Sequence, residues 1–504
     1  MKILSASQIK AVDAYTIEHE PISSPDLMDR AARTCVKNLY GLIHYDDSVL
    51  VICGTGNNGG DGFAIARILL ENNYTCKVCL IPVSEKMSPD AEVHYLLLKH
   101  QFPQHLQTIT QVEELEFIAG HYTVVLDALF GIGLNKPVQG LAAEIIQCVN
   151  ARFKRIISID IPSGMFAGEH QEADGPMVHS SFTLTFQTPK LPFLLPQYAA
   201  YVPAFKVLDI GLHPDALDRQ PSPNQYITPQ MIRQLLKKRH PFSHKGVYGH
   251  ALLIAGSKGK GGAALIAAKA CLRSGAGLLT VHSTTNTTQA LLTYLPEAMS
   301  ESDPNSDCVS EIHKPEKYDA IAFGPGIGTG EESAAVLKKI LHTYAGRLVV
   351  DADGLNILSE NKTWLEFLPP DTILTPHPGE FERLTQKHNN DFERLKTLQH
   401  FSQKHRCIVI LKGAFSAIAM PDGNVFFNSS GNPGLAKGGS GDALTGMILG
   451  LLSRGYNAPQ ASMIATFVHG MAADLCVKKN SMESLLISDV IEMLPKAFNK
   501  LETK

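Results

Sequence analysis

The residues best suited to chemistry sit in glycine-rich turns. Residues 428–446 read Asn-Ser-Ser-Gly-Asn-Pro-Gly-Leu-Ala-Lys-Gly-Gly-Ser-Gly-Asp-Ala-Leu-Thr-Gly and run into an apolar helix expected to continue to about Leu452. Free amides at such a helix start face an anion, and Asp442 in the first turn is placed to take a hydroxyl proton. The pairing of an anion hole with a base suits phosphoryl transfer. A second glycine turn, Gly54-Thr55-Gly56-Asn57-Asn58-Gly59-Gly60-Asp61-Gly62, follows the strand-like Val51-Ile52-Cys53 and precedes a helical stretch at 63–71. It could hold a nucleotide pyrophosphate at a helix N-terminus. Its spacing is not the G-x-G-x-x-G dinucleotide fingerprint, so from the glycines alone a purely structural turn reads equally well.

Two further strand ends bear on that choice. Asp127-Ala128-Leu129-Phe130-Gly131-Ile132-Gly133 follows an apolar run at 123–126, and Asp160-Ile161-Pro162-Ser163-Gly164 follows another at 155–159. In an open parallel sheet the carboxyl ends of the strands share one crevice, so Asn58, Asp127, Asp160 and Ser163 are expected to converge.

These turns need a scaffold, and the apolar periodicity supplies one. Short Val- and Ile-rich runs at 49–53, 76–83, 123–126, 155–159 and 182–186 alternate with helix-length segments. The alternation restarts at 251–255, 278–282, 320–323, 348–351, 373–375 and 408–411. The pattern predicts two helix-covered, mostly parallel α/β domains, 1–215 and 228–504, joined by a proline-rich linker at 216–227. A length of 504 residues agrees with two cores rather than one.

Composition removes other classes. With 45 Lys plus Arg against 49 Asp plus Glu and no basic block, the chain has no charge pattern for nucleic acid. Lys10 and Asp13 interrupt any secretory signal, and no apolar run nears the roughly 20 residues of a membrane span. Nine scattered cysteines suit a reducing compartment, so a cytoplasmic protein without a membrane partner is expected. Cys76 and Cys79 lie within a strand-like run and lack the second ligand pair of a zinc site, which makes them structural.

The first domain resembles the N-terminal epimerase domain of NAD(P)H-hydrate repair enzymes, a Rossmann-like three-layer αβα sandwich. The resemblance implies that Asn57, Asn58, Gly59, Gly60 and Asp61 hold the hydrated nucleotide, with Gly131, Ile132, Gly133, Leu134, Asn135, Lys136 and Pro137 lining it. It makes Asn58, Asp127 and Ser163 oxygen ligands of a potassium ion. Asp160 would contact the substrate and carry out acid/base work. Some relatives of this domain are binding scaffolds, but two strand-end aspartates favour an active site, since unpaired buried carboxylates are costly.

The second domain resembles the ADP-dependent NAD(P)H-hydrate dehydratase of the ribokinase superfamily, with Ser440 where many members carry threonine. Six loops match in order: Lys245-Gly246, 256–264, 324–328, 351–356, 375–380 and 411–414. The resemblance implies that Ala263, Gly326, Gly328, His377 and Asp442 contact substrate, that Asp442 is catalytic, and that Lys412, Gly413, Ala414, Phe415, Ser416 and Gly441 hold ADP. ADP would arrive with Mg2+. The substrates would be the hydrates of NADH and NADPH, and a homo-oligomer is the expected assembly. A vitamin-type kinase would share Asp442 and the glycine-opened helix, yet it leaves the first domain and Thr375-Pro376-His377-Pro378-Gly379-Glu380 unexplained.

Overall fold

The computed structural model describes residues 1–168 and 175–502. The chain forms two compact units, one of Lys2–Ser222 and one of Pro223–Lys504 together with Met1.

In the first unit seven strands are laid down in chain order, β1 Val49–Cys53, β2 Cys76–Leu80, β3 Leu106–Thr108, β4 Val124–Ala128, β5 Ile156–Ile159, β6 Phe182–Phe186 and β7 Phe205–Leu208. They form one parallel sheet in the order β3-β2-β1-β4-β5-β6-β7. Successive side chains of a strand point to opposite faces, and both faces are covered. Val49, Val51 and Cys53 join the core under the helices Ser24–Leu39 and Asn57–Glu71. Leu50 and Ile52 join the opposite core under Val112–Ala119 and Gly140–Arg152. The result is the expected three-layer sandwich. Strand order reverses between β1 and β4, the position where open α/β sheets present a crevice. The helix Ala6–His19, anchored by Val12 beside Ile210 and Leu212, completes the unit.

The second unit is built on β8 Asn224–Tyr226, β9 His250–Ile254, β10 Leu278–Ser283, β11 Met299–Ser302, β12 Ala320–Phe323, β13 Arg347–Val350, β14 Ile373–Leu374, β15 Ile408–Leu411, β16 Ala417–Ala419 and β17 Val425–Phe427. Their order is β11-β10-β9-β12-β13-β14-β15-β16-β17-β8, parallel from β11 to β15 and antiparallel through β16 and β17. Here the reversal falls between β9 and β12. The helix Ser440–Ser453 is buried on nearly every side and crosses the helix Gly261–Arg273 at very short range. A Cβ on Gly446 would stand 2.0 Å from the Ala267 carbonyl oxygen, so only glycine permits this approach.

The proline-rich stretch 216–227, expected as a linker, carries structure instead. The helix Pro214–Arg219 buries Ala216 in the first unit, and β8 pairs with β17 in the second. Pro214, just ahead of this stretch, opens the helix where its missing N–H costs little, and the Pro223 carbonyl accepts from the Val425 amide as β8 begins.

Candidate functional sites

In the first unit a cavity of about 750 Å3 opens at the β1/β4 reversal. Its wall includes Thr55 and Gly56 from the turn after β1, Asn57, Asn58 and Asp61 from the helix Asn57–Glu71, Leu129 to Leu134 from the turn after β4, and Asp160 from the end of β5. Lys10 and Asp13 of the helix Ala6–His19 face the same space, as do Asp90 and Lys190. The volume is within the range of small-molecule sites.

Asp160 has a left-handed backbone, φ 63°, which a non-glycine residue adopts only under constraint. The constraint is visible. Its N–H donates to the Leu184 carbonyl at 2.7 Å, and its Oδ1 accepts from the Phe186 N–H at 2.9 Å, the Thr185 hydroxyl at 3.2 Å and Lys190 Nζ at 2.6 Å. Other carboxyls crowd the cavity. Burial, then repulsion from Asp160, raises the Asp13 carboxyl to about 6, with Lys190 opposing. Burial and repulsion from Asp160, Asp13 and Asp90 push Asp61 well above the usual carboxylate range.

Asp127 lies beneath this surface and is 2% exposed. Its carboxylate accepts from the Ser158 hydroxyl at 2.8 Å, the Ser163 hydroxyl at 2.5 Å and the Ser163 N–H at 2.9 Å. Burial raises its pKa and the Ser163 hydrogen bonds oppose the rise. Asn58 donates through Nδ2 to the Phe130 carbonyl at 2.7 Å, while its buried Oδ1 has no hydrogen-bond partner. The Ser163 hydroxyl also lies at the Phe130 backbone, 2.8 Å from its nitrogen. Asn58, Ser163 and Asp127 therefore form one oxygen-rich group.

Not every expected residue reaches the cavity. Gly59 and Gly60 pack instead: a Cβ on Gly59 would meet the Gly54 carbonyl oxygen at 2.0 Å, and one on Gly60 the Met28 sulfur at 2.6 Å. Asn135 and Lys136 are exposed and, with Pro137, stand outside the cavity wall. Cys76 and Cys79 are buried free thiols in β2.

In the second unit the ends of β13 and β15 and the start of the helix Ser440–Ser453 bring a charged group together. Asp351, 1% exposed, follows β13 and accepts from Lys412 Nζ at 3.0 Å and from the Thr445 hydroxyl at 2.7 Å. Gly441 closes over this pair, since a Cβ there would lie 3.3 Å from Lys412 Nζ. Lys412 also reaches Glu380 at 3.8 Å. Asp442 is in the first turn of the helix Ser440–Ser453, whose N-cap Gly439 is left-handed at φ 91°. Burial first, then repulsion from Asp351, raises Asp442 to about 6, against the pull of Lys412. The same attraction holds Asp351 below its ordinary range despite burial.

The remaining expected residues frame this group. Gly326 packs on Ala263, where a Cβ would approach the alanine methyl to 3.1 Å. The Gly328 N–H donates to Asp353 at 2.9 Å, and Lys260 pairs with the same oxygen at 3.3 Å. His377 caps the helix Pro378–Leu384, accepting from the Gly379 N–H through Nδ1 at 3.1 Å, and half of its side chain stays exposed. Lys412 to Ser416 form the turn between β15 and β16, held by the Gly413 N–H donating to the Ser416 hydroxyl at 3.2 Å. Ala414 is exposed and Phe415 partly buried in this turn.

Asp351, Asp353, Glu380, Thr445, Asp13 and Lys190 join these two groups without having been expected there. The first two stand at a strand end, like Asp127 and Asp160, and that position is a readable signal. Asp13 and Lys190 carried none, because each reaches the cavity from an element distant in the chain.

A strand-end cavity in one α/β unit and a charged strand-end group in the other define the class as an α/β protein with two candidate sites. Comparison with known proteins narrows it. Residues 251–496 match the NAD(P)H-hydrate dehydratase family and residues 24–191 the YjeF-related protein N-terminus. The bifunctional NAD(P)H-hydrate repair enzyme of Moorella thermoacetica is 30% identical, with 100% of this chain and 97% of the relative aligned. That of Thermofilum pendens is 32% identical over 99% and 97%, and that of Escherichia coli 31% over 89% and 85%. Among solved structures, a ribokinase-like superfamily protein of Enterococcus faecalis is 26% identical at a TM-score of 0.50, covering 56% of this chain and 99% of that one. The ADP/ATP-dependent NAD(P)H-hydrate dehydratase of Bacillus subtilis, co-crystallized with ATP and Mg2+, is 33% identical at a TM-score of 0.49, covering 55% and 99%.

The chain belongs to the bifunctional NAD(P)H-hydrate repair enzymes. Its first unit is the epimerase and its second, ribokinase-like unit the dehydratase. Among the described residues no helix is long and apolar enough to cross a membrane.

Proposed function

We propose that the chain interconverts the R and S hydrates of NADH and NADPH in the first unit and dehydrates the S form in the second with ADP as phosphoryl donor. The observation that carries the reading is the group Asp351, Lys412, Gly441 and Asp442 at one helix N-terminus. Asp442 takes the proton of the C6 hydroxyl as that oxygen attacks the terminal phosphoryl group of ADP, releasing AMP. The amides about Gly441 and the Lys412 ammonium offset charge on the transferring group. The C6 phosphate is a good leaving group: ring nitrogen expels it, loss of a C5 proton restores the dihydropyridine, and phosphate departs with NADH. Ala263, Gly326, Gly328 and His377 line the nicotinamide side, and the turn Lys412 to Ser416 holds the donor.

Mg2+ fits as the companion of the donor, since it binds through phosphates and few protein carboxylates; when bound it neutralises phosphate charge. Potassium fits the first unit, because Asn58 offers a buried oxygen without a partner beside Ser163 and Asp127. Asp160 performs the acid/base work there. Unpaired thiols at all nine cysteines support a reducing, cytoplasmic setting.

The test supplies acid-generated NADH hydrate, Mg2+ and either ADP or ATP, and follows AMP, ADP and phosphate. AMP and phosphate formed in equal amounts with recovered NADH support the reading. Dehydration without nucleotide turnover, or with ATP alone, overturns the donor assignment.

A further inference from the structure

Lys190 is a buried cation at the wall of the first cavity. Its side chain is 1% exposed, and a lysine is almost never so deeply buried unless its charge is answered. The ammonium has three protons and finds four acceptors: Asp160 Oδ1 at 2.6 Å, the Thr185 hydroxyl at 2.9 Å, and the Phe186 and Thr188 carbonyls at 3.2 and 3.3 Å. No donor is left for a ligand, so Lys190 acts through its partner.

The partner is held asymmetrically. Oδ1 of Asp160 receives the ammonium, the Phe186 N–H and the Thr185 hydroxyl, whereas no hydrogen bond among the described residues falls on Oδ2. The groups around the pair make the cation necessary. Asp13 on the helix Ala6–His19, Asp61 on the helix Asn57–Glu71 and Asp90 on the helix Pro89–Gln101 share the cavity with Asp160, and Lys10 is the other basic residue on its wall. Like charges packed together disfavour one another's ionised form unless a cation intervenes.

We infer that Lys190 is the positioning residue of the epimerase site: it clamps Oδ1 of Asp160, so that Oδ2 alone is offered to the nicotinamide ring. This rests on the proposed role of Asp160. Inversion at C6 breaks the C6–O bond, the electron pair leaving on the oxygen, which takes a proton to depart as water; a second water then bonds to the opposite face of C6 and gives up a proton. A carboxylate that receives or returns the proton in that exchange must present one oxygen at a fixed angle. An Asp160 free to rotate would still bind the nucleotide but would meet the proton less often.

The experiment is a double-mutant cycle on the full chain, reading epimerisation of purified R hydrate with the spontaneous rate subtracted. Lys190→Met should lower kcat by roughly 10²-fold, the lower range of a positioned acid/base group, with KM within about threefold of wild type. Asp160→Asn should lower kcat by at least as much. The double variant Lys190→Met/Asp160→Asn should be no slower than Asp160→Asn alone, because residues acting as one unit are not additive.

Thr185→Val, which removes the hydroxyl touching both residues, should lower kcat by roughly threefold to tenfold with KM unchanged. It keeps the inference testable if Lys190→Met does not fold. Lys190→Met within about threefold of wild type, a further loss in the double variant, or Thr185→Val acting on KM alone would overturn the inference. A wild-type chain with no epimerisation would instead overturn the reading on which it rests.

Discussion

Lys412 Nζ lies 3.0 Å from Asp351 Oδ1, and Gly441 in the first turn of the helix Ser440–Ser453 faces the pair, a Cβ there lying 3.3 Å from the ammonium. Burial first, then repulsion from Asp351, raises the Asp442 carboxyl to about 6 against the attraction of Lys412. Asp442→Asn keeps the shape of the helix start and loses the proton acceptor. Dehydration should fall roughly 10² to 10⁴-fold, the worth of a positioned base, while ADP affinity measured by calorimetry stays near wild type.

The same shift sets a pH limit. A base must be ionised to act, so the rate requires pH above the value of about 6 at Asp442. A kcat/KM profile for dehydration should be flat near pH 8 and decline about tenfold per unit below 6. A profile flat to pH 5 would remove Asp442 from the base role.

Asp13 supplies a stability counterpart with the opposite sense. Its carboxyl is raised to about 6 from an ordinary 3.8, so the folded state holds the proton more tightly than the unfolded chain. Stability from this group is present below 3.8 and lost as pH rises through 6, leaving a cost at neutral pH. Asp13→Asn removes that cost. Melting of the first unit should rise by the equivalent of about 3 kcal/mol at pH 8 and hardly change at pH 4.

The oxygen group about Asn58 predicts dependence on potassium. Asn58→Ala deletes the buried Oδ1 that has no hydrogen-bond partner. The KCl concentration for half-maximal epimerisation should rise roughly tenfold at constant ionic strength, read by titration into potassium-free buffer, since one ligand oxygen is lost. Unchanged dependence in the variant would detach potassium from this residue.

The alternation of apolar runs was enough to foretell the parallel part of both sheets, because buried parallel strands must be short, apolar and separated by helices. Asp442 drew notice for a related reason, its place in the first turn of a glycine-opened helix, whereas Lys412 and Gly441 entered only through the family resemblance. Three kinds of feature were not legible. β8 is three residues long and amphipathic in no visible way; its place is set by pairing with β17, about 200 residues later in the chain. Gly59 and Gly60 resembled phosphate-binding glycines, but the contacts that require them are with Gly54 and Met28, which only the folded chain brings near. Lys190 gave no signal because its partner Asp160 is a strand away, and burial of a lysine depends wholly on that meeting.

The position of β8 changes where the chain can be divided. A fragment of 228–504 would lose β8 and also Ile227, which is fully buried. It should melt well below a fragment of 223–504, since removing one buried isoleucine alone costs roughly 2–5 kcal/mol. The longer fragment should dehydrate the S hydrate at the rate of the full chain and leave the R hydrate behind.

The most direct measurement gives the full chain an equal mixture of R and S NADH hydrates with ADP, Mg2+ and KCl, and follows nicotinamide absorbance with both epimers separated by chromatography. Wild type should convert both epimers to NADH, with one phosphate released per NADH. Asp442→Asn should accumulate both epimers while still interconverting them, and Asp160→Asn should consume S rapidly while R persists to the limit of its spontaneous epimerisation. Equal consumption of R and S by the Asp160→Asn variant, or recovery of NADH without ADP, would contradict the division of repair between the two sites.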